Sequence, residues 1–424
     1  MKLDYDNKQA ESAKRPFARK SLKHVNSFKA MDVMRRASEL ESLGRKIVHL
    51  EVGEPDFSTV APIVDAAKKA LEKGLTQYTS PTGIVELKTR LSELYFRRHG
   101  LSVNAERILI TPGASGGLLL LANLLVEAGD EILIMDPAYP CVRNFIRLMS
   151  ATPRLIPCDA QQGFRPTVSQ FEKARNSSTK GVWLASPNNP TGTVLDRETL
   201  TKLAVWARST ANHFLVDEIY HGLHYVSDLP SVLEVESDAF VVNSFSKYFG
   251  MTGWRLGWIV VPDQYVEQAT RLAQNLYICA SSISQYGALG AFTSEAEILL
   301  ENRRHEFNQR RVYFCNALSE IGLPPAASVD GAFYVYADVS RYNFDSQTFC
   351  QLMLEKFGVA MTPGTDFGEY KSSQYVRMSF TTSQENLELG IERMQSALDS
   401  FRLFSRTPCW KVFLLSGTKD FLQM

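Results

Sequence analysis

No charge of either sign dominates this chain: Lys+Arg and Asp+Glu both count 46 in 424 residues. A balanced surface offers no electrostatic footprint for nucleic acid or for an anionic membrane. Long apolar runs are missing too, and nothing approaches the roughly 20 residues that a membrane-crossing helix requires. Residues 1–27 are polar and basic without an apolar segment, which excludes a secretory signal and reads as a mobile arm. Cysteine is sparse: the 6 residues are irregularly spaced and form no CxxC pair. That usage argues against a disulfide framework or a zinc site and for reduced thiols in the cytoplasm. The 7 histidines form no metal constellation. His221 and His224 have ligand-like spacing, but core or surface roles suit them better. A GxGxxG fingerprint after the first strand is absent, so a nicotinamide-binding reading lacks its key element. Internal repeats and low-complexity segments are absent as well.

What is present is enough for a large core. Hydrophobic residues make up 45% of the chain, and a chain of this length is expected to form two domains. Periodicity predicts a helix over 31–43 ending at Gly44, a strand over 46–52, a turn at Gly53–Phe57, and helices at about 62–73 and 84–98. Short apolar strands follow at 107–111, 131–135, 153–157, 181–185, 213–217, 239–243 and 256–261, with amphipathic helices between most of them. This alternation predicts an α/β fold with an open, mainly parallel seven-stranded sheet covered on both faces. Beyond Ser282 the rhythm changes. A long helical stretch kinked near 294 leads to Leu318, followed by strands at 329–336 and 375–380 and helices at 346–357 and 384–403. These read as a smaller α+β domain. The expected division is an arm (1–27), the N-terminal part of the smaller domain (28–60), the large domain (61–300), the C-terminal part of the smaller domain (301–404) and a tail (405–424). The tail segment Trp410–Leu415 is apolar but too short to span a membrane.

One stretch organises the chemistry: Ser244-Phe-Ser-Lys247-Tyr-Phe-Gly-Met-Thr-Gly-Trp-Arg255. The apolar run before it places Lys247 just past the carboxyl end of a buried strand. A lysine in dry surroundings loses its proton cheaply and can attack a carbonyl as a free amine. A lone lysine in a polar loop reads as a surface residue; the flanking serines and Arg255 argue against that here. Thr111-Pro-Gly113-Ala114-Ser115 joins a strand to a helix, and small residues at a helix start make an anion site or an ordinary tight turn. Asp217 ends an apolar strand, where a carboxylate needs a facing cation or hydrogen bond. Arg377, on a late strand, is either one half of a structural ion pair or a fork for a planar anion.

Taken together and in order, GEPDF (53–57), QYTSPTGIVEL (77–87), SPNNPTG (186–192), DEIY (217–220) and SKYFGMTGWRLGW (246–258) resemble the class I/II pyridoxal-phosphate (PLP) aminotransferases of fold type I, over residues 30–402. The likeness is greatest to the bacterial aspartate and aromatic subgroup. It implies PLP as cofactor, held by Lys247 as a Schiff base, with Gly113, Ala114, Ser115, Ser244 and Arg255 cradling its phosphate. It further implies Tyr139 stacked on the ring, Asp217 rather than Glu218 at the pyridine nitrogen, and Asn189 and Tyr220 at the ring oxygen. Arg377 then takes the substrate α-carboxylate, with Asn189 and a backbone group of Gly53 nearby. Tyr78 resembles the tyrosine that reaches the neighbouring subunit's phosphate, which implies a homodimer with shared sites. The resemblance also implies cis peptides before Pro137 and Pro190. The reaction implied is transfer of an amino group from an amino acid to a 2-oxo acid in ping-pong fashion, with Lys247 as proton shuttle. A C–S β-lyase on the same fold is the rival reading. A PLP-binding regulator would need a DNA-binding unit that the 27-residue arm is too short to hold.

Overall fold

The computed structural model describes residues 25–404. Residues 1–24 and 405–424, and with them the apolar tail segment, lie outside this range. In chain order the strands are β1 (Val48–His49), β2 (Ile108–Thr111), β3 (Glu131–Asp136), β4 (Thr152–Pro157), β5 (Thr179–Ala185), β6 (His213–Asp217), β7 (Phe240–Ser244), β8 (Gly257–Val260), β9 (Tyr334–Asp338), β10 (Val359–Ala360), β11 (Thr362–Pro363) and β12 (Tyr375–Ser379). The helices are α1 (Lys29–Ser42), α2 (Ala61–Glu72), α3 (Val85–His99), α4 (Gly113–Leu125), α5 (Pro140–Leu148), α6 (Val168–Ala174), α7 (Arg197–Ser209), α8 (Val266–Leu276), α9 (Ser282–Leu289), α10 (Ser294–Glu320), α11 (Ser346–Leu352) and α12 (Gln384–Phe404).

The expected seven-stranded sheet forms, in the order β2-β8-β7-β6-β5-β3-β4. All its pairings are parallel except those of β8, which runs antiparallel to both β2 and β7. Its inner strands are buried along their length, whereas the edge strand β4 alternates between exposed and covered positions. Each strand divides its apolar side chains between two cores. Leu109, Ile134, Leu215 and Val242 join one face, with Leu118 and Leu121 of α4 and Ala273 of α8. Ile110, Met135, Val216 and Val241 join the other, which continues into the rest of the molecule. The pleat thus covers both faces, as a sheet fed by helical crossovers must be. The smaller α+β part holds the antiparallel sheet β11-β12-β9 and the parallel pair β1-β10.

Three predicted elements differ from what forms. The strand expected over 46–52 keeps ladder pairing only at Val48 and His49. Beyond it, carbonyls turn to partners outside the ladder: Leu50 O accepts from Ser379 N, Glu51 O from Arg377 and Thr362 Oγ1, and Gly53 O from the Lys247 ammonium. The strand expected from Val329 begins at Tyr334, because Asp330 N and Gly331 N bind Gly192 O and Ala332 turns at φ 57°. The helix predicted to 357 ends in a π-type turn over Met353–Phe357, closed by Gly358 at φ 67°. The cis bonds lie before Pro137 and Pro187. The expectation at Pro190 is therefore corrected: that residue sits inside a turn closed by Gly192 N to Asn188 O at 2.8 Å.

Candidate active site

The reversed strand β8 decides what meets at one edge of the sheet. Strands β2, β3, β5, β6 and β7 end there, and β8, running the other way, begins there. The loops after Thr111, Asp136, Ala185, Asp217 and Ser244 and the turn before Gly257 therefore converge, as expected at the carboxyl ends of a parallel sheet. They enclose a cavity of about 500 Å³. Lys247, Asp217, Tyr220, Ala114, Ser115 and Tyr139 line it, together with Asn189, Arg255, Gly53 and Arg377.

At one end the chain builds an anion cradle. Gly113 opens α4 at φ 72°, and a Cβ added there would lie 2.6 Å from Nη2 of Arg255. Gly257 is equally obligatory, since its Cβ would stand 2.9 Å from Ala114 N. The helix-start amides of Ala114 and Ser115 and the Arg255 guanidinium, itself oriented by a 2.9 Å hydrogen bond to Thr252 O, are the donors an oxyanion needs. Gly113 borders the cradle without lining the cavity. Ser244 is buried, and its hydroxyl donates to Leu256 O at 3.1 Å and meets Ser246 Oγ at 2.9 Å. Ser246 and Thr252 line the cavity instead. Ser246 stood in the same Ser-x-Ser-Lys signature, where sequence offers no means of choosing between the two hydroxyls.

At the opposite end Asp217 accepts a 3.0 Å hydrogen bond from Ile219 N, and burial pushes its pKa up to about 7. A carboxyl group in that state lacks a cation. Glu218 faces away from the cavity and accepts from Ser231 Oγ at 3.0 Å and Val232 N at 2.7 Å. Between the two ends, Lys247 Nζ donates to Gly53 O at 2.6 Å. Burial lowers the Lys247 pKa to about 8, with the Arg377 and Arg255 charges adding to the effect and Glu54 opposing it.

Arg377, 1% exposed, donates Nη1 to Asn189 Oδ1 at 2.9 Å and Nη2 to Glu51 O. Its guanidinium lies over the rings of Tyr334 and Phe367, 4.4 and 4.7 Å from their centroids. Nε is buried and unpartnered. No carboxylate pairs with Arg377 among the described residues, so the ion-pair reading of this residue gives way to a fork with vacant donor capacity. Tyr220 Oη meets Tyr334 Oη at 3.0 Å, and Tyr334 stands so close over Gly53 that an added Cβ would overlap its hydroxyl oxygen at 1.6 Å. Tyr334 lines the cavity, whereas Tyr336 and Phe380 lie in the core and not in its lining. Phe28, Ala30 and Met31 also line the cavity, positions that no sequence signal marked. They are placed there because Asp366, far along the chain, accepts from Lys29 N and Ala30 N and caps α1. Tyr78 stands apart: it is 79% exposed and lines a separate surface depression beside Tyr286.

The description "aminotransferase class I and II" matches residues 45–394. The (5-formylfuran-3-yl)methyl phosphate transaminase of Methanocaldococcus jannaschii is 38% identical over 90% of this chain and 99% of its own. The valine–pyruvate aminotransferase of Mycobacterium tuberculosis is 37% identical over 89% and 97%. The solved structure of the aspartate aminotransferase from Thermus thermophilus with maleate superposes with a TM-score of 0.86 at 31% identity, covering 90% of this chain and 99% of that one. The chain belongs to the class I and II aminotransferases. It is accordingly a PLP-dependent transaminase acting between amino acids and 2-oxo acids, and the C–S lyase reading is not favoured.

Proposed function

We propose that Lys247 is the lysine that binds the cofactor covalently and moves the substrate proton. The observation that carries this is a buried amine, brought to a pKa of about 8, held between the anion cradle and the Asp217 carboxyl group. The cradle of Gly113, Ala114, Ser115 and Arg255, with Ser244 as its inner support and Ser246 beside it, holds the phosphate. Tyr139 would lie against the ring, Asn189 and Tyr220 would face its oxygen, and Asp217 would face its nitrogen. Bound in this way, PLP supplies an electron sink for the pair left at Cα when a proton departs. Asp217 keeps that sink effective by holding a positive charge on the ring nitrogen, and the exchange relieves its own unpaired burial. Arg377 fixes the α-carboxylate, using the donor capacity left over from Asn189 and Glu51. Lys247 Nζ, whose lowered pKa makes the neutral amine accessible, then takes the Cα proton and holds it for return on the same face. Tyr220, propped by Tyr334, keeps the oxygen side of the ring in place.

The same geometry supports donors with uncharged, apolar side chains. Lys247, Arg255 and Arg377 are the basic residues lining the cavity, and each already has a role. What remains is Phe28, Ala30, Met31, Val52 and Leu118, with Glu54 as an added acidic neighbour. We also propose a cytoplasmic homodimer in which Tyr78 serves the partner's site. The Tyr78 loop (74–87) and the segment packed on it (272–302) contain no Lys or Arg, so this edge brings no cation for a distal carboxylate. Ser282 Oγ to Gln77 O at 2.5 Å and Gln285 Nε2 to Thr79 Oγ1 at 2.9 Å hold the two together. The aliphatic donor named for the Mycobacterium relative accords with this.

Three experiments test the reading. In single-turnover reactions, valine, leucine or phenylalanine should exceed aspartate and glutamate in kcat/KM by roughly tenfold or more; an aspartate preference would refute the apolar assignment. Arg377→Lys should raise KM for every donor about 10²-fold with a smaller change in kcat, because a point charge cannot replace the planar fork. Sedimentation should show a dimer, and mixing Lys247→Ala with Tyr78→Phe chains should restore one native-like site per mixed dimer. A monomer with full activity would remove the role given to Tyr78.

A further inference from the structure

The segments that carry Tyr220 and Lys247 also have a second side. Of their immediate neighbours, His221 lines another cavity, of about 570 Å³, formed by residues of α3, α7, α10 and the loop after β6, and Tyr248 packs behind it against the lining residues Arg98 and Glu301. Its hydrogen bonding is unbalanced. Every carboxylate there is engaged. Glu234 accepts from His99 at 3.0 Å and from Arg197, Asp228 accepts from Arg197 at 3.2 Å, and Glu301 accepts from Tyr248 Oη and Arg304 Nε, both at 2.7 Å. Cationic and imidazole nitrogens are not matched in the same way. Arg98 makes no ion pair among the described residues; its guanidinium lies over the Tyr248 ring at 4.6 Å and hydrogen-bonds the Tyr248 hydroxyl. His221, 4% exposed, and His224 each present a buried ring nitrogen without a partner, Nε2 and Nδ1 respectively. Glu218 approaches His221 only on the other nitrogen, at 3.7 Å from Nδ1. A polar cavity whose carboxylates are engaged, while a guanidinium has no carboxylate at ion-pair distance and two imidazole nitrogens, donors once protonated, have no partner, suits an anion.

We propose that this cavity is a second ligand site that binds a compact oxyanion, the chemistry shared by phosphate and small carboxylates, between Arg98 and the rings of His221 and His224. Its occupancy reaches the active site through two pairs of adjacent residues, Tyr220–His221 and Lys247–Tyr248. Gly222 makes this route tight: at φ 97° it packs against the Tyr248 ring, and an added Cβ would lie 2.6 Å from that ring. The electrostatics agree. Burial, then the neighbouring histidines and Arg98, hold His221 well below its ordinary range, and burial with Arg98 and Arg304 lowers His224 to about 4. A bound anion reverses that positive field.

The test uses the holoenzyme, so that the cofactor phosphate already fills the active-site cradle. Inorganic phosphate and malonate are titrated separately, with calorimetry for affinity and imidazole NMR signals for location. The expected result is saturable binding of one equivalent per chain of at least one of the two, with the His221 and His224 signals shifting. Arg98→Gln and, as a second variant, His224→Asn should each weaken binding roughly tenfold or more without changing activity in the absence of the anion. The anion that binds identifies its source, and saturating it should change kcat/KM in the wild-type enzyme and not in Arg98→Gln. No saturable binding, or binding that both folded variants leave intact, overturns the site. Binding without a kinetic difference between wild type and variant overturns the coupling.

Discussion

Lys247→Ala is expected to lower kcat for transamination by about 10⁴-fold or more, the range a positioned proton-transfer group commands, while the fold persists. The substitution removes a buried amine whose hydrogen bond is to the Gly53 carbonyl, at the edge of a cavity that water can enter. No core contact of the main sheet depends on it. The phosphate cradle is built from α4 and Arg255 and stays intact, so the variant should still bind PLP, non-covalently. Steady-state assay and circular dichroism separate the two effects. A small primary amine added to the variant should recover part of the lost rate, because it restores the missing base and not a missing structure. A variant that retains more than about one part in a hundred of wild-type kcat would place the proton shuttle elsewhere.

Asp217→Asn is expected to act in opposite directions with and without cofactor. In the free protein the carboxyl group is buried with a pKa of about 7 against an ordinary value of 3.8. A raised pKa means that the folded state disfavours the ionised form. Folding therefore pays a cost that grows as pH rises from about 4 to about 7 and stays constant above. Asparagine removes that cost, so cofactor-free Asp217→Asn should melt higher than wild type at pH 8, with the gain shrinking towards pH 4. In the holoenzyme the order reverses. Asparagine cannot hold a proton on the ring nitrogen, so kcat should fall by roughly 10²- to 10⁴-fold and PLP should dissociate more readily. Calorimetric melting at pH 4 and 8, with and without PLP, reads both signs. A free variant less stable than wild type at pH 8 would contradict the unpaired-carboxyl account.

Much of this was legible because the chemistry sits where local sequence changes character. Each apolar run ending in a polar or glycine residue marked a strand end, and Asp217, Lys247 and Asn189 fall just there. The central strands were recovered within a residue or two, since β3, β6 and β7 are buried on both faces and read as unbroken apolar runs. What sequence did not reveal depends on partners far along the chain. The direction of β8 is not encoded in Leu256–Val261, yet it brings Arg255 to the cradle. Phe28 and Met31 reach the cavity because Asp366 caps α1. The expected strand over 46–52 is cut short because Ser379 and Arg377 claim its carbonyls at Leu50, Glu51 and Val52. The histidines at 221 and 224 gave no useful pattern, because their surroundings are assembled from α3, α7 and α10.

The most direct test of the central claim is to reduce the holoenzyme with borohydride and map the cofactor by peptide mass spectrometry. The structure predicts one pyridoxyl-modified lysine per chain, at Lys247, and loss of the label when a donor amino acid is added before reduction. Label on another lysine, or label at Lys247 that no amino acid displaces, would contradict it.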